Sequence, residues 1–392
     1  MDLFAKCANQ PMVEATRREQ IYPYFHALES RQDTEVIMEG KRRIMLGSNN
    51  YLGLTVQPEI IEAAKQALDQ YGTGCSGSRF LNGTLKLHLT LEEELADFVG
   101  KEAAMTFSTG FQSNLGIISA LVSRQDYMVC DKENHASIYD ACRLSYGKMV
   151  RYNHNDMASL EKCLKAIPES AGILIITDGV FSMSGDICKL DEIVALAKKY
   201  GARVMVDDAH GFGVLGNCGR GTADYFGLTD QVDIIMSTFS KSLASLGGFM
   251  AADAQVIDYA RHVSRPFIFS ASIPPSNAAA ALAALRLLRE HPELPKRLAA
   301  LADYMRAGLT ARGIAIRESA TPIIPIYTYD AMRTLRINRR LYEEGVYVNC
   351  VLPPATPQGE CLLRTSLMAT HTEALLDEAM DIIARVLGEF AQ

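Results

Sequence analysis

The chain has 392 residues, 48% of them apolar and 22% charged, which is ordinary for a globular enzyme and long enough for two subdomains. Its formal net charge of −7 excludes nucleic acid as the main partner, because phosphate neutralisation needs a basic surface. Nine scattered cysteines with no Cys-x-x-Cys pair exclude a disulfide framework or structural zinc site and suit a reducing cytoplasm.

Residues 1–45 read as an N-terminal arm, with a helix-compatible stretch over 14–20 and a polar hairpin at Met38-Glu39-Gly40-Lys41. Its first residues lack the apolar centre of a signal peptide, and no run in the chain reaches the roughly 18 apolar residues of a membrane span. From 46 to 285 short apolar runs at 103–107, 127–130, 173–177, 203–206 and 233–236 alternate with helical stretches such as 136–146 and 190–200. That alternation predicts a large α/β domain, a mainly parallel sheet with helices on both faces. An alanine-rich stretch at 277–288 reads as a buried amphipathic helix. Residues 286–392 change pattern: a helix over 292–312, strands at 323–327, 346–351 and 362–366, and a closing helix over 372–390. This is the order of a smaller α+β domain.

The most informative segment is Ser237-Thr238-Phe239-Ser240-Lys241-Ser242, followed by Gly247-Gly248. Taken alone, Lys241 is an ordinary loop lysine. At a strand end facing a pocket, desolvation can free its amine to form an imine. Val206-Asp207-Asp208-Ala209-His210 places Asp207 at the carboxyl end of a buried strand, the edge where open α/β sheets bind ligands. A carboxylate there can pair with a protonated pyridine nitrogen, and His210 can reach the same ring's phenolic oxygen. A helix N-cap is the plain alternative for Asp207, and a metal site would need further ligands that the sequence does not space suitably. Thr109-Gly110-Phe111 is a glycine turn between strand and helix, where backbone N–H groups form an anion site. His135, in Asn134-His135-Ala136-Ser137, can stack on an aromatic ring; alone, such a histidine is usually structural.

Together with Thr177-Asp178-Gly179-Val180-Phe181-Ser182-Met183, these segments resemble the α-oxoamine synthases, pyridoxal-phosphate enzymes that condense an amino acid with an acyl-CoA. The likeness runs from Asn49-Asn50-Tyr51-Leu52-Gly53-Leu54, through Gly74-Cys75-Ser76-Gly77-Ser78-Arg79, to Met368-Ala369-Thr370-His371-Thr372. It implies a fold-type I architecture with a seven-stranded sheet and pyridoxal 5′-phosphate held as an imine on Lys241. Asp207 would pair with the pyridine nitrogen, His135 would stack on the ring, and His210 would contact the phenolic oxygen. Gly110, Phe111 and Thr238 would hold the phosphate, completed by Ser270 from a partner subunit of a homodimer. Arg364, in Leu362-Leu363-Arg364-Thr365-Ser366, would bind the amino-acid carboxylate as a planar fork, with Ser78 and Asn49 also at the substrate.

Within the family the likeness favours L-serine and palmitoyl-CoA, giving 3-ketodihydrosphingosine, the first step of sphingolipid synthesis. Glycine with acetyl-CoA and alanine with pimeloyl-CoA are the nearest alternatives, since small pocket differences discriminate by only about 1–3 kcal/mol. An aminotransferase on the same fold is the alternative reaction type, and a non-catalytic binding protein the alternative class. The expected location is the bacterial cytoplasm. Peripheral contact with the inner membrane suits a lipid product, although no basic amphipathic anchor stands out.

Overall fold

Seven strands form one sheet in the order Ala103–Phe107, Gly248–Ala252, Ile234–Thr238, Arg203–Asp207, Ile173–Asp178, Tyr127–Asp131 and Lys148–Tyr152. The computed structural model describes residues 2–317 and 319–390. All neighbours in this sheet run parallel except Gly248–Ala252, which is antiparallel to both strands beside it. Side chains alternate between two separate cores. Val129, Ile175, Val204 and Ile235 face one, and Met128, Leu174, Met205 and Ile234 face the other, the period-two consequence of the pleat. Helices Lys86–Val99, Leu190–Tyr200 and Pro275–Glu290 seal the first face with leucines and alanines one turn apart. Helices Gly110–Leu121, Ala136–Leu144 and Ala254–Val263 seal the second.

Five of the seven strands coincide with the expected buried runs. Lys148–Tyr152 was not expected: it lies at the sheet edge, and only Tyr152 of its five residues is fully buried. Gly248–Ala252 is buried throughout, but a glycine followed later by two alanines carries little strand signal.

Two three-stranded sheets complete the molecule. In one, Glu35–Met38 pairs with Lys41–Met45 through Glu39 and Gly40, at φ 52° and 68°, a turn whose twist suits a hairpin. Lys41–Met45 then pairs in parallel with Val346–Tyr347, so the end of the N-terminal arm is woven into the C-terminal part. The other sheet is Ile323–Tyr329, Cys361–Ser366 and Asn349–Val351. The single strand expected over 346–351 is therefore two, belonging to different sheets and separated at Val348. Helices Glu293–Ala311 and Glu373–Glu389 cover this region with a third core of Leu298, Met305, Leu376 and Ile383.

Candidate active site

The carboxyl ends of the parallel strands converge on one cavity of about 280 Å³. Asp178 and Asp207 close neighbouring strands as register partners, and both are buried. Asp207 accepts hydrogen bonds from the Asn114 amide at 2.7 Å and the Ala209 N–H at 3.1 Å. Burial, and then the negative charge of Asp207, holds the Asp178 carboxyl well above the usual range. Lys241 follows the strand Ile234–Thr238, its open surface forming part of the cavity wall. Burial brings its amine down to about 8; Asp207 opposes the fall and nearby Arg364 adds to it. No protein group among the described residues hydrogen-bonds the Lys241 amine. A desolvated, unpaired amine of this kind can become a nucleophile near neutral pH.

Across the cavity the helix Gly110–Leu121 presents its N-terminus. Thr109 caps the Gln112 N–H at 3.1 Å, leaving the Gly110 and Phe111 amides open among the described residues. A Cβ on Gly110 would lie 2.7 Å from Thr238 Cβ and Oγ1, so only glycine lets that amide and the Thr238 hydroxyl share one wall. The arrangement fits a phosphate group. His135 and His210 also line the cavity. Burial pushes both imidazoles below their ordinary range, His210 furthest, so both are neutral at pH 7. His210 Nδ1 lies 2.7 Å from the Tyr51 hydroxyl.

Seven of the expected residues, Gly110, Phe111, His135, Asp207, His210, Thr238 and Lys241, thus share the cavity wall. Arg364 and Asn49 adjoin it through Tyr51. The Arg364 guanidinium donates to Asn49 Oδ1 at 3.0 Å, to the Tyr51 hydroxyl at 3.3 Å and to the Ser182 carbonyl. It is 4% exposed, yet among the described residues no carboxylate pairs with it. Ser78 and Ser270 do not reach this cavity. Ser78 is buried with its hydroxyl unpartnered, and Ser270 accepts from the Gln112 amide. Sequence reasoning gave no role to Asn114, Ser137, Tyr51 or Asp178. Asn114 had a readable signal: it stands four residues after Gly110, on the same helix face.

Residues 41–383 match the class I and II aminotransferase family. The chain is 51% identical over 378 residues to a serine palmitoyltransferase of Sphingobacterium spiritivorum, covering 96% of this chain and 95% of the relative. It is also 45% identical to an 8-amino-7-oxononanoate synthase of Geobacter sulfurreducens, covering 95% and 96%. A solved serine palmitoyltransferase from S. paucimobilis superposes with a TM-score of 0.96 at 37% identity over 99% of both chains. The chain belongs to the α-oxoamine synthases. The expected fold-type I architecture is therefore borne out, and the cofactor of this α-oxoamine synthase is pyridoxal phosphate. A similar structure, a serine palmitoyltransferase at 38% identity and TM-score 0.95 over 99% of both chains, is described with that cofactor as an internal aldimine. The aminotransferase and binding-protein alternatives fall away.

Proposed function

We propose that this α-oxoamine synthase condenses L-serine with palmitoyl-CoA, releasing CoA and CO₂ and forming 3-ketodihydrosphingosine. The observation that carries the amino-acid half is Arg364, a buried guanidinium with neutral acceptors only, which a substrate carboxylate would complete. The acyl half rests on the relatives: four named serine palmitoyltransferase are 48–51% identical and a fifth 44%, against 42–45% for three oxononanoate synthases. Glycine with acetyl-CoA and alanine with pimeloyl-CoA are the competing substrate pairs.

Lys241 would hold the cofactor, Asp207 its pyridine nitrogen, and Gly110, Phe111 and Thr238 its phosphate. Pyridoxal phosphate supplies, when bound, an electron sink for bonds breaking at the substrate Cα. Arg364, with Asn49 beside it, anchors the serine carboxylate and so orients Cα. Lys241, with its amine near 8, is matched to take the Cα proton at the pH of the cell. His135 would cover the ring, and His210, kept neutral, would offer a hydrogen bond to its phenolic oxygen. Ser78 lies outside this cavity, and no substrate contact is assigned to it.

A homodimer in which Ser270 of one protomer serves its partner's phosphate accounts for its distance from the cavity in its own chain. Phe269 beside it and Leu81 are each 77% exposed, apolar surface that a second copy would cover. No helix among the described residues is long and apolar enough to cross a membrane; we place the enzyme in the cytoplasm, with its lipid product passing to the inner membrane. The test is a matrix of serine, glycine and alanine against palmitoyl-, acetyl- and pimeloyl-CoA, scored by thiol release. Serine with palmitoyl-CoA should lead; release at the control level there, with glycine and acetyl-CoA active, would refute the assignment.

A further inference from the structure

Asn114 is 1% exposed and contributes one NH₂ group to two acceptors. Its Nδ2 donates to Asp207 Oδ2 at 2.7 Å and to Ser137 Oγ at 2.8 Å. The two protons therefore meet two oxygens, and the amide orientation is forced because a carboxylate can only accept. Ser137 Oγ in turn lies 2.7 Å from His135 Nδ1. The Ser137 N–H also donates to that nitrogen, at 3.3 Å, capping the helix Ala136–Leu144. A nitrogen receiving a backbone N–H has no proton of its own, so the Ser137 hydroxyl must donate to it while accepting from Asn114. The neutral imidazole then carries its proton on Nε2, which has no protein partner among the described residues. The Asn114 carbonyl oxygen is buried and unpartnered, a tension expected where an amide is held for its donors.

We propose that Asn114 is a positioning residue of the reaction, orienting Asp207 directly and His135 through the Ser137 hydroxyl, so that a fixed Nε2–H faces the cavity as a donor to the bound amino acid. This deepens the reading above and rests on it. The charged and titratable groups around His135 are Asp207, Asp178, Lys241 and His210. With the Ser137 donor removed, the Asp207 carboxylate is free to favour an imidazolium.

The experiment titrates the holoenzyme with serine, glycine and alanine between pH 5.5 and 9, following the cofactor absorbance, in Asn114→Ala, the isosteric Asn114→Asp, Ser137→Ala and Ser137→Thr. Loss of the chain should weaken amino-acid binding roughly tenfold, about one net hydrogen bond, and move the acid limb of binding to higher pH. Ser137→Thr, which keeps the hydroxyl, should restore both. Folded Asn114 variants with the wild-type affinity and acid limb would overturn the proposal. Should neither Asn114 variant fold, an unmoved limb in Ser137→Ala would overturn it and a moved limb would support it. A wild type that ignores serine but answers glycine sinks the substrate assignment and leaves this comparison intact.

Discussion

Replacing Arg364 separates two effects that usually travel together. Its guanidinium is buried, with an oxygen each from Asn49, Tyr51 and Ser182 around it, and no carboxylate among the described residues neutralises it. Removing one partner of a buried ion pair costs about 3–5 kcal/mol, so Arg364→Met should weaken serine binding by roughly 150-fold or more. Arg364→Lys keeps the charge and loses the fork, which forfeits about 1.5–3 kcal/mol and roughly 10- to 150-fold in affinity. Folding stability should respond differently. Relief of an unpaired buried cation, several kcal/mol, offsets the orphaned Asn49 and Ser182 oxygens at about 1–3 kcal/mol each. The urea midpoint of Arg364→Met in the absence of substrate should therefore change little, within about 2 kcal/mol. Isothermal binding of L-serine and urea unfolding of the same preparations provide the assay. Wild-type serine affinity in Arg364→Lys, or a urea midpoint in Arg364→Met lowered by much more than about 2 kcal/mol, would refute the reasoning.

Three further outcomes follow from the same geometry. Gly110→Ala drives a methyl into Thr238, so cofactor affinity should fall at least roughly tenfold by pyridoxal-phosphate titration while the protein stays folded. Lys241, lowered to about 8 from 10.5, binds fewer protons folded than unfolded between those values. Cofactor-free enzyme should thus gain stability as pH rises through that window, and Lys241→Met should abolish the gain in unfolding curves at pH 7.5 and 9.5. Burial raises the Asp208 carboxyl to about 7 from 3.8, against hydrogen bonds from Thr222. The folded state then holds the extra proton, and stability should fall as pH rises from 4 to 7. Asp208→Asn, which keeps an acceptor for Thr222, should flatten that slope in denaturation at pH 5 and pH 7.

Much of this site was legible because its residues sit where apolar runs stop. The expected strands ended at 130, 177 and 206, whereas the observed ones run through Asp131, Asp178 and Asp207. A reading based on hydrophobicity halts at the first charge, yet at a ligand-binding sheet edge the ladder continues through it. Lys241, Asp207, His210, His135 and Gly110 were found because each has a distinctive residue type beside a strand end. Asn114 was passed over although its four-residue spacing from Gly110 could have been read; Ser137 and Tyr51 were not found, since a hydroxyl inside a helix or loop signals nothing until the fold supplies its partners. Tyr51 meets His210 across 159 positions. The exchange of the arm strand Lys41–Met45 into the C-terminal sheet is likewise a long-range pairing with no local pattern.

The central claim, that Lys241 carries the cofactor, is tested most directly by reducing the holoenzyme with borohydride, digesting it and mapping the modified peptide by mass spectrometry. The account predicts one pyridoxyl-lysine, at Lys241, and none in Lys241→Ala. A label on another lysine, or an unmodified Lys241 in enzyme that still shows the bound-cofactor band, would contradict it.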